Sequence, residues 1–443
     1  MKGDEIAAIS TPQGRGGVAI IRISGEKPLE IAEKMFTPVG GRKVSRFSPY
    51  RMYPGKIDCG SFEDFGLCVW FCAPHSFTGE DVVEFHCHGG TTIARAVLSR
   101  ALALGCRPAE RGEFTKRAFL NGKLSLASAE GLIDMINGES EAEVRAGSLL
   151  YAERLTSPVR GVQAQLTELL AGIDADIDFP EEDIEHTDLK DAASCIRAAL
   201  AEVDGLLKGY GTGRKVKEGI SVVLAGKPNT GKSSLLNALL GADRAIVSDI
   251  PGTTRDVVEG SLEIDGVRFD LYDTAGIRES AGEVESIGIG RARRLAEGAD
   301  LVLFVLDDTR TAEDGALREE FRDRKKLVVR NKTDLSAPAE GDADVYVSAK
   351  TGEGMEELKR RMFSLCMDGY RADAAFVIEA RHGQALSRAR EELATALSLC
   401  GKVPLDLLGI HLRAAWEALG EISGETANER IIDEIFAKFC VGK

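Results

Sequence analysis

No apolar run in this sequence approaches the roughly 18 residues needed to span a bilayer as a helix, so association with a membrane is not expected. Met1 to Ser10 carries two acidic residues and one lysine before a short apolar stretch, which does not read as a secretory signal. The nine cysteines are scattered, without a C-x-x-C pair, and indicate reduced thiols in a cytoplasm. There is no internal repeat, no low-complexity segment, and no flavin or nicotinamide fingerprint that would supply redox chemistry. Positive charge is also short: 56 Lys and Arg face 71 Asp and Glu, for a net charge of −15. That balance excludes a protein that holds nucleic acid by bulk electrostatics, because neutralising phosphates needs clustered cations. One local patch remains, with Arg107, Arg111, Lys116, Arg117 and Lys123 opposed only by Glu110 and Glu113. Charge alone fits a solvated basic loop there at least as well as a phosphate contact.

What is present is an ordinary globular composition, 44% apolar and 29% charged, in 443 residues. That length suggests roughly two to four domains. Residues 1–118 mix short β-type runs with Gly-rich turns. Val18–Ile23 and Val82–His86 read as strands bounded by Gly16-Gly17, Gly25 and Gly89-Gly90. From about Lys116 the pattern turns helical, over Glu141–Ile173 and Asp188–Leu207, with Pro158 opening a second helix or bending the first. Lys208–Glu218, with three glycines and four basic residues, reads as a linker. Strand and helix then alternate, the signature of a parallel sheet with crossover helices. Past Asp373 only helical patterns remain. The simplest architecture is a helical domain formed by residues 119–216 and 372–443, with an α/β domain at 217–371 inserted into it.

Inside that α/β segment, Gly226-Lys227-Pro228-Asn229-Thr230-Gly231-Lys232-Ser233 fits G-x-x-x-x-G-K-[ST]. The apolar run Val222–Ala225 precedes it as a strand, and Ser234–Leu240 follows as a helix. Glycines let backbone N–H groups wrap a phosphate at a helix N-terminus, where the dipole favours anions. Lys232 can neutralise the β- and γ-phosphates and the Ser233 hydroxyl can ligate Mg²⁺. Further on, Arg268–Tyr272 forms a strand ending in Asp273-Thr274-Ala275-Gly276. Asp273 can hold the metal through water, and the Gly276 N–H can meet the γ-phosphate. Leu327–Arg330 delivers Asn331-Lys332-Thr333-Asp334. The Asp334 carboxylate can accept from N1–H and N2–H₂ of guanine, whereas adenine lacks the exocyclic donor and would leave it unpaired. Val345–Val347 leads into Ser348-Ala349-Lys350, a backing loop for the base. The ordered set points to GTP bound and hydrolysed in a Ras-like domain with a mostly parallel sheet.

In Ras the residue after the D-x-x-G glycine is a Gln that orients the attacking water. Here it is Ile277, which has no hydrogen-bonding side chain. The water-positioning group must lie elsewhere. Arg278, Glu279, Glu283 and Glu285 are within reach in sequence, although a solvated charged loop fits most of the four.

Further motifs run along the chain: Thr11-Pro12-Gln13-Gly14-Arg15-Gly16-Gly17-Val18, Ser76-Phe77-Thr78-Gly79-Glu80-Asp81 and Cys87-His88-Gly89-Gly90. Gly112-Glu113-Phe114 through Leu124, Gly252-Thr253-Thr254-Arg255-Asp256 and the closing Phe439-Cys440-Val441-Gly442-Lys443 follow. With these, essentially the whole chain resembles the MnmE (TrmE) family of GTPases in tRNA wobble-uridine modification. The sequence departs from the family pattern at Arg111, where a proline commonly stands, at Ser125, where an Asp is usual, and at His86 before Cys87.

The resemblance implies that residues 1–118 form an α+β domain that binds tetrahydrofolate and dimerises. The all-α helical domain and the inserted Ras-like P-loop GTPase domain follow. It implies a homodimer, tRNA as partner, and the flavoprotein MnmG (GidA) joined in a heterotetramer. Together these would place an aminomethyl or carboxymethylaminomethyl group on C5 of the wobble uridine. The carbon would come from 5,10-methylenetetrahydrofolate, with 5-formyltetrahydrofolate as an analogue. Carried over by motif, Asn229, Ser248, Ile250 and Thr253 would cage a K⁺ ion, and Thr254 would be a second Mg²⁺ ligand. Ser234 would lie in the nucleotide site beside Ser233. Glu285 matches the family's catalytic glutamate, acting with Lys232 and Gly276. Arg22, Glu84, Lys123 and Lys443 would grip folate, and Cys440 would lie near them, a free thiol on the tail being the alternative. His86 and His88 face one side of a strand, but no recognised ligand spacing accompanies them, and hydrogen-bonded histidines are the preferred reading. The acidic run Asp174–Asp183 reads as a solvated interdomain loop, since it lacks a Ca²⁺-loop spacing. A second function is compatible with the GTPase motifs: a regulatory GTPase that scaffolds RNA or ribosome assembly without one-carbon chemistry.

Overall fold

The structure is a computed structural model that describes residues 4–12, 14–179, 188–242, 260–273, 298–308, 315, 319, 321–322, 324–335, 341, 343–371 and 378–443. The chain divides into two compact units. The first comprises Met1–Ile133, Leu150–Ala199 and Glu391–Lys443, and the second Asp134–Leu149 and Leu200–Arg390.

In the first unit, seven strands form one sheet in the order β3-β4-β5-β6-β2-β1-β7. They are β1 (Ile6–Ile9), β2 (Val18–Gly25), β3 (Phe36–Pro38), β4 (Met52–Asp58), β5 (Glu63–Phe71), β6 (Asp81–His88) and β7 (Arg107–Pro108). Side chains alternate across a strand, and here the alternation sorts core from site. Ala19, Ile21 and Ile23 of β2 and Val83, Phe85 and Cys87 of β6 enter one apolar cluster. Helices α1 (Pro28–Met35) and α2 (Thr91–Ala103) cover it with Ile31, Met35, Ala94 and Val97. Arg22, Glu84 and His86 therefore occupy the opposite face.

Helix α3 (Glu113–Leu120) carries Lys116 and Arg117, and β7 carries Arg107, so the basic stretch is not one solvated loop. Arg117, buried at 6% side-chain exposure, pairs with Asp4 at 2.8 Å and with Glu80 and Glu113 at 3.1 Å. Arg107 binds Asp4 and Glu113 at 2.8 and 2.6 Å, and Lys116 binds Asp433 at 2.7 Å. Burial raises the Glu113 pKa, but the Arg107 hydrogen bond and further donors outweigh it and hold the group below its usual 4.5. Asp4 is likewise lowered, mainly by its hydrogen bond to Arg107. Depressed carboxylate pKa values mean stabilisation that is complete above the unfolded value and lost as pH falls through the folded one. We expect Arg117→Ala to cost about 3 kcal/mol at pH 7, because the buried Glu113 carboxylate loses one of its two guanidinium partners. The gap in urea midpoint between variant and parent should shrink below pH 4.5; a gap independent of pH would show that packing, not charge, carries the effect.

The helical part of this unit is organised by α6 (Thr156–Asp178) against α12 (Leu405–Ser423). Val159, Val162, Leu166 and Ile173 recur at helical spacing and are buried, as are Leu408, Leu412, Ala415 and Leu419. Pro158 sits in the first turn of α6, where a missing N–H costs nothing. Asp174 to Asp178 form the last turns of α6, and Asp174 pairs with Arg413 at 3.1 Å. That part of the acidic run is helix rather than loop, because α6 stays anchored on α12 to Ile173; residues 180–183 lie outside the described residues. The C-terminal segment packs back on the start of the chain. Helix α13 (Glu429–Phe436) and Phe439 join Leu126 and Ala129 of α4 (Leu126–Asn137) in a small core. Val441 forms an antiparallel bridge with Arg111. Gly442 lies so close to β1 that a Cβ would sit 2.3 Å from the Ile9 carbonyl oxygen.

The second unit holds a six-stranded sheet in the order β13-β12-β11-β8-β10-β9. The strands are β8 (Ile220–Ala225), β9 (Gly260–Ile264), β10 (Val267–Asp273), β11 (Leu301–Leu306), β12 (Lys326–Arg330) and β13 (Val345–Tyr346). All pairings are parallel except β9 with β10. Every residue of β11 is buried, as a central strand covered on both faces requires. The expected linker is mostly helix α8 (Tyr210–Glu218), which follows α7 (Leu189–Lys208). Glycines within a helix cost about 1 kcal/mol each relative to alanine. Tertiary contacts offset that: Val216 is buried, Tyr210 packs on Gly383, and Lys215 donates to the Cys366 carbonyl at 2.8 Å.

Candidate functional site

Strand β8 delivers the phosphate loop and α9 (Lys232–Ala242) leaves it. Two glycines are demanded by geometry. Gly226 has φ +148° and its Cβ would lie 2.4 Å from the Val305 carbonyl oxygen. Gly231, at φ +88°, would meet the Asn331 amide nitrogen at 2.4 Å. Asn229 is left-handed as well, at φ 65°. Lys232 is 5% exposed, and its ammonium donates to the Gly226 and Lys227 carbonyls at 3.0 and 2.7 Å. Thr230, also buried, donates to Lys227 O at 3.0 Å and closes the loop. The Ser233 hydroxyl donates to Asp273 Oδ2 at 2.7 Å. This hydroxyl and carboxylate form an oxygen donor set that suits a hard cation such as Mg²⁺. Ser234 is exposed on the first turn of α9.

The base-reading loops are tied to the phosphate loop by side chains. Asn331 donates to the Thr230 and Gly231 carbonyls at 3.1 and 3.3 Å and accepts from the Ala349 N–H at 3.1 Å. Lys332 donates to Asn229 O at 2.6 Å and pairs with Asp307 at 3.3 Å. Asp307 follows β11 directly and was not singled out by motif; its position at the end of a buried strand in a parallel sheet was the available signal. Ser348, fully buried, donates to Asp334 Oδ1 at 2.7 Å, which orients an exposed carboxylate. Lys350 is exposed beside it. Ser248, Ile250, Thr253, Thr254, Gly276, Ile277, Arg278, Glu279, Glu283 and Glu285 lie outside the described residues.

In the first unit, Arg22 and Glu84 are cross-strand partners joined at 2.8 Å. The guanidinium stands 5.6 Å from the centroids of both Phe77 and Phe114. His86 approaches the second Glu84 oxygen at 3.3 Å. Burial pushes the Glu84 pKa up, but the His86 hydrogen bond and the Arg22 charge outweigh it and hold the carboxyl below its usual range. A buried carboxylate beside a guanidinium and two aromatic faces fits a flat heterocycle with amino and carboxyl substituents. Lys123 instead donates to Pro74 O at 2.9 Å. Lys443 follows Gly442, which packs on Ile9, one residue from the Ala8 that faces Arg22 across the β1–β2 pair. His88 is held by Asp64 at 2.6 Å, so each of the two histidines has a carboxylate partner.

Comparison with known sequences finds two family matches along the chain. Residues 5–123 match the family described as GTP-binding protein TrmE N-terminus. Residues 126–440 match the family described as MnmE helical domain. A curated relative from Heliobacterium modesticaldum, the tRNA modification GTPase MnmE, is 42% identical over 467 residues and covers 100% of both chains. The chain belongs to the MnmE family of tRNA modification GTPases. MnmE of Moorella thermoacetica is 42% identical and that of Desulforamulus reducens 40%, again across the whole of both chains.

Two departures from the MnmE pattern have structural explanations. Ser125 caps α4, accepting from the Ser128 N–H at 3.0 Å, and so replaces one good N-cap type by another. Arg111 forms the bridge to Val441 and is exposed, so the longer polar side chain meets no steric objection there. Among the described residues no helix is long and apolar enough to cross a membrane.

Proposed function

We propose that this chain is a K⁺-stimulated GTPase that works as a homodimer with the flavoprotein MnmG to modify C5 of tRNA wobble uridine. The observation that carries the nucleotide half is the binding of Asn331 and Lys332 to the carbonyls of residues 229–231. It locks a base-reading loop to a phosphate-reading loop at a fixed spacing, which only a ligand containing both parts exploits.

In this reading the Lys232 ammonium leaves the Gly226 and Lys227 carbonyls for the β- and γ-phosphate oxygens. Ser233, Thr254 and Asp273 would hold Mg²⁺. Asn229, Ser248, Ile250 and Thr253 would hold K⁺, whose positive charge would do the task of an arginine finger elsewhere. The Gly276 N–H meets the γ-phosphate and Glu285 orients the attacking water. Ser348, Ala349 and Lys350 back the guanine that Asp334 selects.

The same proposal assigns residues 1–118 to folate binding and dimer contact, with Arg22, Glu84, Lys123 and Lys443 as the gripping residues. Folate supplies a one-carbon unit when bound. Glu84, oriented by its ion pair with Arg22, would accept from the donor edge of its pterin. Residues 119–216 and 372–443 form the helical domain, and residues 217–371 the GTPase domain, in a cytoplasmic enzyme. The test is mass spectrometry of wobble uridines from cells lacking the chain. Loss of the C5 substituent is expected; normal nucleosides would remove the tRNA role and leave GTP hydrolysis standing.

A further inference from the structure

Strand β10 has two chemically distinct ends. Its C-terminal end is Asp273, the partner of Ser233 in the phosphate site. Its N-terminal end is a tight turn, Asp265-Gly266, with φ values of 47° and 81°. That turn docks on the first turn of α5 (Glu141–Tyr151) and on the short segment that joins it to α4, within the second unit. The Ala142 N–H donates to the Gly266 carbonyl at 2.8 Å. Two residues along β10, Arg268 forms an ion pair with Glu139 and donates to the Glu218 carbonyl at 2.8 Å.

Strand β8 repeats the arrangement. It ends in the phosphate loop, and three residues before it begins Lys217 binds the 4%-exposed Asp134 of α4 at 2.8 Å and pairs with Glu379. Burial works against the Lys217 charge, but Asp134 and Glu379 outweigh it and keep the ammonium above its usual pKa. Glu143 accepts from the Glu139 N–H at 2.9 Å and holds the loop in shape. Two strands that lead into the phosphate site, β8 and β10, are thus bolted at the other end to the same α4–α5 turn or to the helix beside it.

We propose that the Arg268–Glu139 pair and the Ala142–Gly266 hydrogen bond form a coupling joint, which makes the placement of the α4–α5 turn depend on nucleotide state at Ser233 and Asp273. Arg268 and Glu139 are positioning residues in this scheme and touch neither nucleotide nor tRNA; the inference rests on the GTPase reading above. A packed strand is nearly incompressible, so a shift at Asp273 reaches Gly266 rather than being absorbed on the way. Packing alone would need no charge pair at a turn, because the apolar residues of β10 are already buried.

The test uses the full-length chain with two changes that leave the nucleotide site intact. Glu139→Gln removes the ion pair, and Ala142→Pro removes the N–H donor at a first-turn position that tolerates proline. In the double variant, GTP turnover is expected within about threefold of the parent while the wobble-uridine product in complemented cells falls at least about tenfold, from loss of two hydrogen-bonded contacts. Glu139→Asp, which keeps the charge, should retain both. Full modification in the double variant overturns the joint. So does loss of GTP turnover in parallel with modification, in Glu139→Gln alone as in the double variant, since the contacts would then serve only the fold. Absence of GTP turnover in the parent chain would instead strike the GTPase reading.

Discussion

Replacing Asp334 with Asn is expected to lower GTP affinity by about 10²- to 10⁴-fold and to transfer preference to xanthine nucleotides. The carboxylate can accept from both N1–H and N2–H₂ of guanine, two charge-assisted bonds. An Asn amide presents a donor where guanine also presents one, and the pair repels. Xanthine carries a carbonyl at that carbon and restores the match. The Ser348 hydroxyl, 2.7 Å from Asp334 Oδ1, is buried and would hold the Asn carbonyl oxygen just as well, leaving the amide nitrogen toward the base. Equilibrium titration with labelled GTP and XTP checks this. Unchanged discrimination between GTP and ATP in the variant would take base selection away from Asp334.

The second large effect concerns hydrolysis. Ile277 stands where Ras has its water-orienting Gln, so a group supplied from further along must do that work. Glu285→Ala is expected to lower the GTP turnover rate by about 10²- to 10⁴-fold, the range for loss of a positioned general base. Nucleotide affinity should stay within about twofold, because Lys232, Ser233 and Asp334 are untouched. The comparison belongs in potassium buffer, since the cage proposed for Asn229, Ser248, Ile250 and Thr253 would suit K⁺ and not the smaller Na⁺. A variant that no longer binds nucleotide would make Glu285 a structural residue.

How much of this was legible in the sequence depends on how far each feature reaches along the chain. The phosphate loop was legible because its constraints are local: Gly226 and Gly231 are required by backbone approach, and strand and helix flank them. The fold class followed from alternating strand and helix patterns for the same reason. Lys208–Glu218 was misread because glycine content is a local signal, whereas the contacts of Tyr210 with Gly383 and Lys215 with Cys366 come from more than 150 residues away. The basic stretch was ambiguous because, Glu113 apart, its counter-ions Asp4, Glu80 and Asp433 lie far from it in sequence. Arg22 and Glu84 became candidates only through family resemblance. Their cross-strand pairing is a matter of register between strands that are 62 residues apart, which no spacing rule reveals.

The order in which the two compact units close has a consequence during synthesis. Every residue of the second unit has been made once the ribosome passes Arg390, whereas the first still lacks Glu391–Lys443. Until those arrive, Leu126 and Ala129 have no Ile435, Phe436 or Phe439 to cover them, and α6 has no α12. A nascent chain can thus hold a nucleotide before its amino-terminal half is sealed. A stop codon near residue 390 would leave a polypeptide that exposes an apolar seam, a ready target for quality-control proteases.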